Sequence, residues 1–186
     1  MSQPICFFAF RSPYSRLGLH KLARAGLEPE LHPFFGPPEG VAFANPTDNA
    51  PKRAYYAHDV LRLCLRMGLP ITLPEPFDVD FAPANRVFFA ARREGAGMAF
   101  ALAVSDARWG EGRNVSELGV LDDCAAEVGL AGLVERAAAR DIDEDMRAAR
   151  GLTEAHGVFG VPFLIADGQP WWGQDRFDLY LETLKA

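Results

Sequence analysis

Apolar residues fall in short unbroken runs near the two ends of this chain and recur at helical spacing between them. The first run is Ile5-Cys6-Phe7-Phe8-Ala9-Phe10. A run this short, bounded by a turn signal, is the pattern of a strand covered on both faces. Arg11-Ser12-Pro13-Tyr14-Ser15 follows. Ser12 reads as an N-cap and Pro13 as the first helical residue, where the missing N–H costs nothing. Up to Gly26, residues Gly18, Leu19, Leu22, Ala23 and Ala25 share one arc of a helical wheel, and Arg16, His20, Lys21 and Arg24 the other. A strand therefore turns sharply into an amphipathic helix. The turn sets the Ser12 hydroxyl where free N–H groups and positive potential gather, a place that favours an anion or thiolate.

Residues 27–35, with Pro29 and Pro33, predict a second strand near a sheet edge. Residues 36–51 form a long loop rich in Gly, Pro, Asn and Asp, of a length that often carries function. Tyr56, Val60, Cys64 and Met67 predict a helix over residues 52–68, closed by Gly68. After a proline-broken connection over 69–81, Pro83 opens a helix towards Gly95, and Phe100, Val104 and Ala107 mark another over 97–109. Ser116 is an N-cap candidate for a helix ending near Gly129, and short helical pieces continue to His156, with Gly157 as a stop. No strand pattern interrupts residues 52–156. The C-terminal end changes character: Gly160-Val161-Pro162-Phe163-Leu164-Ile165-Ala166 reads as an apolar strand entered through a proline, Asp167-Gly168 as a two-residue hairpin, and residues 169–172 as the returning strand. Asp175 can cap a last helix running to Leu184. The order is βαβ, a helical insert, then αββα. It predicts an α/β domain made of residues 1–51 and 157–186, with an inserted helical domain over residues 52–156.

Composition narrows the partners. A net charge of −6 argues against a nucleic-acid surface. Three scattered cysteines, Cys6, Cys64 and Cys124, argue for a reducing compartment and against a disulfide scaffold. Each is expected to pack as a small hydrophobe. The first apolar run is too short for a signal peptide or a membrane span, so a cytoplasmic protein with no membrane partner is expected. His20, His32, His58 and His156 lack metal-ligand spacing, and no metal site is expected.

Together these elements resemble the thioredoxin-like fold, and the helical insertion its DsbA-like branch. Residues 8–15, Phe-Ala-Phe-Arg-Ser-Pro-Tyr-Ser, are similar to the strand-to-helix motif of the 2-hydroxychromene-2-carboxylate isomerases and the kappa-class glutathione transferases. So are Gly157-Val158-Phe159-Gly160-Val161-Pro162 and Trp172-Gly173-Gln174-Asp175-Arg176. In the middle, Pro51-Lys52-Arg53-Ala54-Tyr55 with Asp59 and Arg62, Ala84-Asn85-Arg86, and Trp109-Gly110-Glu111-Gly112-Arg113 also fit, so the resemblance spans nearly the whole chain.

The resemblance implies glutathione as cofactor. Ser12 would hydrogen-bond its sulfur as the catalytic residue. Val161, before a cis Pro162, would pair with its cysteinyl part, and Gln174 and Asp175 would receive its γ-glutamyl group. Asn45 and Lys52 would reach the glycyl end. The Asn45–Lys52 spacing is short for the transferases, so Asn49 is an alternative to Asn45. Arg11 stands where relatives carry a smaller or apolar residue, and Phe163 where many carry Thr. Arg11 and Tyr14 are candidate substrate contacts, Arg11 for a carboxylate. Taken alone, Ser12 and Asp175 are ordinary cap residues; the constellation gives them a further role. A disulfide oxidoreductase on this fold needs a low-pKa thiol at the first helix start. Here that position is Ser12. The resemblance therefore implies a glutathione-dependent isomerase: thiolate addition to the substrate's conjugated carbon, rotation about the resulting single bond, and elimination to the trans alkene. Two alternatives stand behind it. One is a kappa-like transferase conjugating glutathione to an electrophile. The other is a non-catalytic glutathione-binding or scaffolding protein. The partners expected are glutathione and a small aromatic or electrophilic substrate, and relatives are commonly homodimers.

Overall fold

In a computed structural model, residues 3–42 and 48–185 are described. The first apolar run becomes β1 (Ile5–Phe8), in which Cys6, Phe7 and Phe8 are fully buried. It lies inside a four-stranded sheet of order β2-β1-β3-β4, with β2 at Glu30–Pro33, β3 at Phe163–Ala166 and β4 at Gln169–Trp172. The pairing is parallel to β2 (Ile5 opposite Glu30) and antiparallel to β3 (Phe7 opposite Phe163). Both proline-bearing strands, β2 with Pro33 and β4 with Pro170, lie at the sheet's edges, where a missing N–H is tolerated. Asp167 and Gly168 both take positive φ, 50° and 73°, and turn β3 tightly into β4.

Helix α1 (Pro13–Arg24) leaves β1 through the Ser12 cap. Helix α2 (Ala50–Met67) begins two residues before the sequence boundary, because Asn49 caps it and Pro51 occupies its first turn. Then come α3 (Ala82–Arg93), α4 (Gly97–Trp109), α5 (Leu118–Glu127), α6 (Leu133–Ala138), α7 (Asp143–Ala155) and, after the hairpin, α8 (Gln174–Thr183). The architecture is that of a DsbA-like thioredoxin fold: no strand is found between α2 and α7 among the described residues. Ser116 is not the cap of α5. Its N–H and hydroxyl both bond the Asn114 carboxamide oxygen, a local turn that ends before the helix starts at Leu118.

The core is continuous between the sheet layer and the helical segment. Phe8, Phe10 and Leu22 share one cluster with Phe88, Val104 and Leu121. Helix α2 is peripheral, contributing Val60 and Cys64 to a smaller cluster with Leu17 and Leu69. The three cysteines are buried and free. The polar arc of α1 is not a solvated face. Arg16 is 1% exposed, and the side chains of His20 and Lys21 are largely covered by α4 and α8, where their partners Asp106 and Asp178 sit. Charged groups there replace water with protein partners, a cost that only paired groups can offset.

Gly18 marks where α1 meets the C-terminal half. A Cβ there would lie 2.9 Å from a ring carbon of Phe177 and 3.2 Å from Pro162 Cβ. Phe177 is fully buried and cannot swing aside. Gly18→Ala is therefore expected to destabilise by about 1–2 kcal/mol, an overpacking cost that exceeds the helix-propensity gain. Urea unfolding checks this; a stabilised variant would show that α1 has room to move away.

Candidate functional site

The sheet register brings three distant segments to one end. Chain direction carries β1 out of the sheet at Phe8 and into the Arg11–Ser12 turn. Because β3 runs antiparallel, with Phe163 opposite Phe7, Val161 and Pro162 enter at that same end. Because β4 returns with Trp172 opposite Phe163, Gly173, Gln174 and Asp175 start α8 there too.

Ser12 is half-buried in extended backbone, and its Oγ accepts a hydrogen bond from the Ser15 N–H at 3.1 Å. A hydroxyl that accepts one bond keeps its own hydrogen to donate. Below it, the Ser15 hydroxyl is buried and accepts from the Ala9 N–H at 3.2 Å, tying the turn to the strand end. The Val161–Pro162 peptide is cis, as the motif requires. Pro162 is buried, Val161 is half-buried, and the Pro162 carbonyl accepts from the Gly173 N–H at 2.9 Å, locking the loop to the start of α8.

Asp175 does not cap α8. The cap position is Gly173, at φ 93°, and no side chain caps the helix. The reason is backbone conformation: φ 93° at Gly173 is a region that residues with a Cβ rarely adopt, and the helix starts directly from it. The exposed Asp175 carboxylate pairs with Arg176 instead. Gln174 is buried, and its side-chain and main-chain oxygens accept from Lys21 Nζ at 2.5 and 2.9 Å. Lys21 also meets Asp178 at 2.6 Å. Both Gln174 and Asp175 line a half-open groove of about 720 Å³ that runs between α1, α8 and the C-terminal half of α2, with Leu63, Met67 and Leu181 on its apolar wall. Ser12 and Val161 lie outside that groove.

The remaining candidates stand further out. Lys52 is exposed in the first turn of α2, where its N–H donates to Asn49 Oδ1 at 3.0 Å. Asn45 lies outside the described residues. Tyr14 donates its hydroxyl to Asp59 Oδ2 at 2.8 Å, and its ring packs against Tyr56 at 5.5 Å, so it ties α1 to α2. Burial and the Asp59 bond push its phenol up, leaving it neutral. Arg11 is exposed, pairs with Asp78 at 3.0 Å and lies over the Phe81 ring at 5.6 Å.

Four residues near the site, Asp78, Phe81, Asp106 and Arg108, lie outside the sequence motifs. Asp78 and Phe81 sit in the proline-rich connection, which carries no periodicity. Arg108 and Asp106 sit on α4 among apolar residues; a charge inside such a run was the available signal. Trp109 at the end of α4 donates its indole N–H to the Phe10 carbonyl at 2.9 Å, which anchors the helical segment to the turn holding Arg11 and Ser12.

The site has no reactive thiol of its own. Burial pushes up the thiols of Cys6, Cys64 and Cys124, that of Cys124 to about 11. A cysteine with a raised pKa is a poor nucleophile. The donors present do suit a thiol-bearing peptide anion: a hydroxyl with a hydrogen to give, backbone beside a buried cis proline, and an uncapped helix start. Among the described residues no cluster of His, Cys, Asp or Glu fits a metal ion, and no helix is long and apolar enough to cross a membrane.

Comparison with known proteins bears on the fold and the family. Residues 5–185 match the DSBA-like thioredoxin domain family. The chain is 31% identical over 187 residues to a 2-hydroxychromene-2-carboxylate isomerase of Sphingobium xenophagum, covering 95% of this chain and 94% of that protein. Among solved structures, a 2-hydroxychromene-2-carboxylate isomerase superposes with a TM-score of 0.82 at 22% identity, covering 99% of this chain and 95% of the other. The cytosolic disulfide reductase DsbM from Pseudomonas aeruginosa superposes with a TM-score of 0.67 at 24% identity, covering 99% and 98%. This chain therefore belongs to the DsbA-like thioredoxin-domain family and, within it, to the 2-hydroxychromene-2-carboxylate isomerase family.

Proposed function

We propose that this protein is a glutathione-dependent cis–trans isomerase acting on 2-hydroxychromene-2-carboxylate or a related aromatic catabolite. Homology to the Sphingobium isomerase supports the isomerase class. The observation that carries the reading is the convergence of the Ser12 hydroxyl, the Val161–cis-Pro162 turn and the uncapped start of α8 in a site that lacks a thiol. With its cysteines buried and of raised pKa, and serine at the first helix start, the chain has no thiolate to donate electrons to a disulfide.

When bound, glutathione supplies a thiol whose ionised form is a nucleophile. The protein's part is to position and to stabilise charge. Ser12 holds the sulfur through the hydrogen its hydroxyl retains. Val161 offers its backbone to the cysteinyl unit. The N–H groups at the start of α8 receive the γ-glutamyl carboxylate, and the Asp175 carboxylate its ammonium. Lys52, with Asn45 or Asn49, faces the glycyl end. Tyr14 closes the wall by holding α2, and Arg11 offers a cation to the substrate's carboxylate.

The test follows the fate of glutathione. Incubated with 2-hydroxychromene-2-carboxylate, the protein is expected to give trans-o-hydroxybenzylidenepyruvate at a rate that saturates with glutathione, while the free-thiol titre stays constant. Stoichiometric loss of thiol would establish the transferase instead. Conversion at an equal rate without glutathione would remove the cofactor from the reaction.

A further inference from the structure

Two different groups hold the exposed Arg11 cation. Its guanidinium rests on the half-buried Phe81 ring, while its carboxylate partner, Asp78, is 75% exposed. The two supports differ in permanence. A ring face holds the cation whatever anion it meets. An exposed ion pair contributes little and exchanges readily with another anion.

The backbone on each side is fixed. Buried Arg108 donates from one guanidinium nitrogen to the carbonyls of Pro76 and Phe77, at 2.9 and 2.6 Å, and so pins the residues just before Asp78 to α4. Trp109 pins Phe10, the residue before Arg11. The side chains of Arg11 and Asp78 are both exposed. Arg108 lies 5.8 Å from the Phe81 ring and feels the charge of Asp78, so Asp78 sits in the field of two cations. Among the described residues no carboxylate pairs directly with Arg108. Beside the pair, Phe77 is 47% exposed, its ring edge-on to Trp109 at 6.3 Å. An exposed apolar ring thus stands next in sequence to Asp78, the exposed counter-ion of Arg11.

We propose, resting on the isomerase reading for the substrate, that Asp78 is a specificity-determining residue: it is an internal counter-ion that occupies Arg11 until a ligand carboxylate displaces it, with the ligand's ring against Phe77. The site then pays for every anion it admits by releasing Asp78, and gains nothing by releasing it for a neutral ligand. Selectivity between anionic and neutral aromatic ligands is set by that competition.

The test is calorimetric titration of 2-hydroxycinnamate and its neutral amide, without glutathione, against wild type, Asp78→Asn, Asp78→Ala and Arg11→Ala. Both Asp78 variants are expected to bind the carboxylate about three- to fivefold more tightly and the amide unchanged. Arg11→Ala is expected to lose the carboxylate's advantage over the amide. Asp78 is exposed, so folding is preserved, and a thermal melt checks it. Weaker or unchanged carboxylate binding in the Asp78 variants would mean that Asp78 only steadies Arg11. An equal gain for the amide, or no carboxylate binding to any variant, would also overturn the proposal. Because glutathione is left out, failure of the glutathione reading shows separately, in the glutathione dependence and free-thiol titre of the isomerisation assay.

Discussion

Replacing Ser12 with alanine is expected to lower glutathione-dependent kcat/KM by about 10²–10³-fold, the usual cost of losing one donor aimed at developing negative charge. The Ser12 hydroxyl oxygen already accepts the Ser15 N–H at 3.1 Å, so its hydrogen is the part left for a ligand. A free thiol of the cysteine type ionises near pH ~8.5. A hydroxyl donor and the start of α1 both favour its anion. Loss of the hydroxyl is therefore expected to raise the bound thiol's pKa by about one unit, equivalent to ~1.4 kcal/mol. The sign fixes the pH profile. Thiolate forms above its pKa, so the rising limb of activity moves to higher pH in the variant, and high pH partly restores the rate. Ultraviolet thiolate absorbance across pH measures the shift directly. Alanine also removes the cap of α1, about 1 kcal/mol of stability, whereas glycine at a cap costs only a few tenths. Ser12→Gly thus separates the two roles: equal loss of rate with less loss of stability assigns the rate to the hydroxyl. An unshifted thiol pKa in both variants would leave Ser12 as a cap alone.

The strands, the hairpin and the order of elements could be read from the chain because their signals are local. An apolar run bounded by Ser12-Pro13, a hairpin marked by Asp167-Gly168 and a helix stopped by Gly68 each carry their own punctuation. The convergence of Ser12, Val161-Pro162 and Gln174-Asp175 was legible through resemblance, and the register of β1, β3 and β4 accounts for it. What escaped was decided by tertiary neighbours. The polar arc of α1 has the spacing of a solvated face, yet α4 and α8 bring Asp106 and Asp178 to it and bury Arg16. Asp175 has the identity of a cap, but the φ available to Gly173 moves the helix start back to Gln174. Asp78 lies in a stretch with no period at all, and its pairing with Arg11 spans 67 positions in sequence.

Asp106→Asn is expected to destabilise the protein by about 2–3 kcal/mol at neutral pH. Asp106 Oδ1 accepts from Arg16 Nε at 2.6 Å and meets His20 Nε2 at 2.8 Å. Arg16 is 1% exposed; its other bond goes to the Pro70 carbonyl at 2.7 Å, and its second terminal nitrogen has no partner among the described residues. Taking away the carboxylate leaves a buried guanidinium with a neutral amide. Breaking a buried pair costs about 3–5 kcal/mol, and a charged hydrogen bond about 1.5–3 kcal/mol. The lower figures apply because the Asp106 side chain is 38% exposed and partly screened. At this chain length the melting temperature is expected to fall by about 5–10 °C. Burial pulls the Asp106 carboxyl up, but the bonds from His20 and Arg16 together outweigh it and hold it below the ordinary carboxylate range. A depressed carboxyl contributes stability that is fully present above its unfolded pKa, near ~3.9, and is lost as pH falls through the lower folded value. The gap between wild type and Asp106→Asn is therefore expected to be wide at pH 7 and to close in acid, as the native carboxyl itself takes up a proton. Urea unfolding at the two pH values measures this, and a gap independent of pH would assign the loss to packing. The pairing also reaches the site. Arg16 lies one turn beyond Ser12, and its N–H bonds the Ser12 carbonyl at 3.3 Å. The clamp that ties α1 to α4 thus holds the helix start on which the Ser12 hydroxyl stands, and loosening it should blur thiol placement as well as stability.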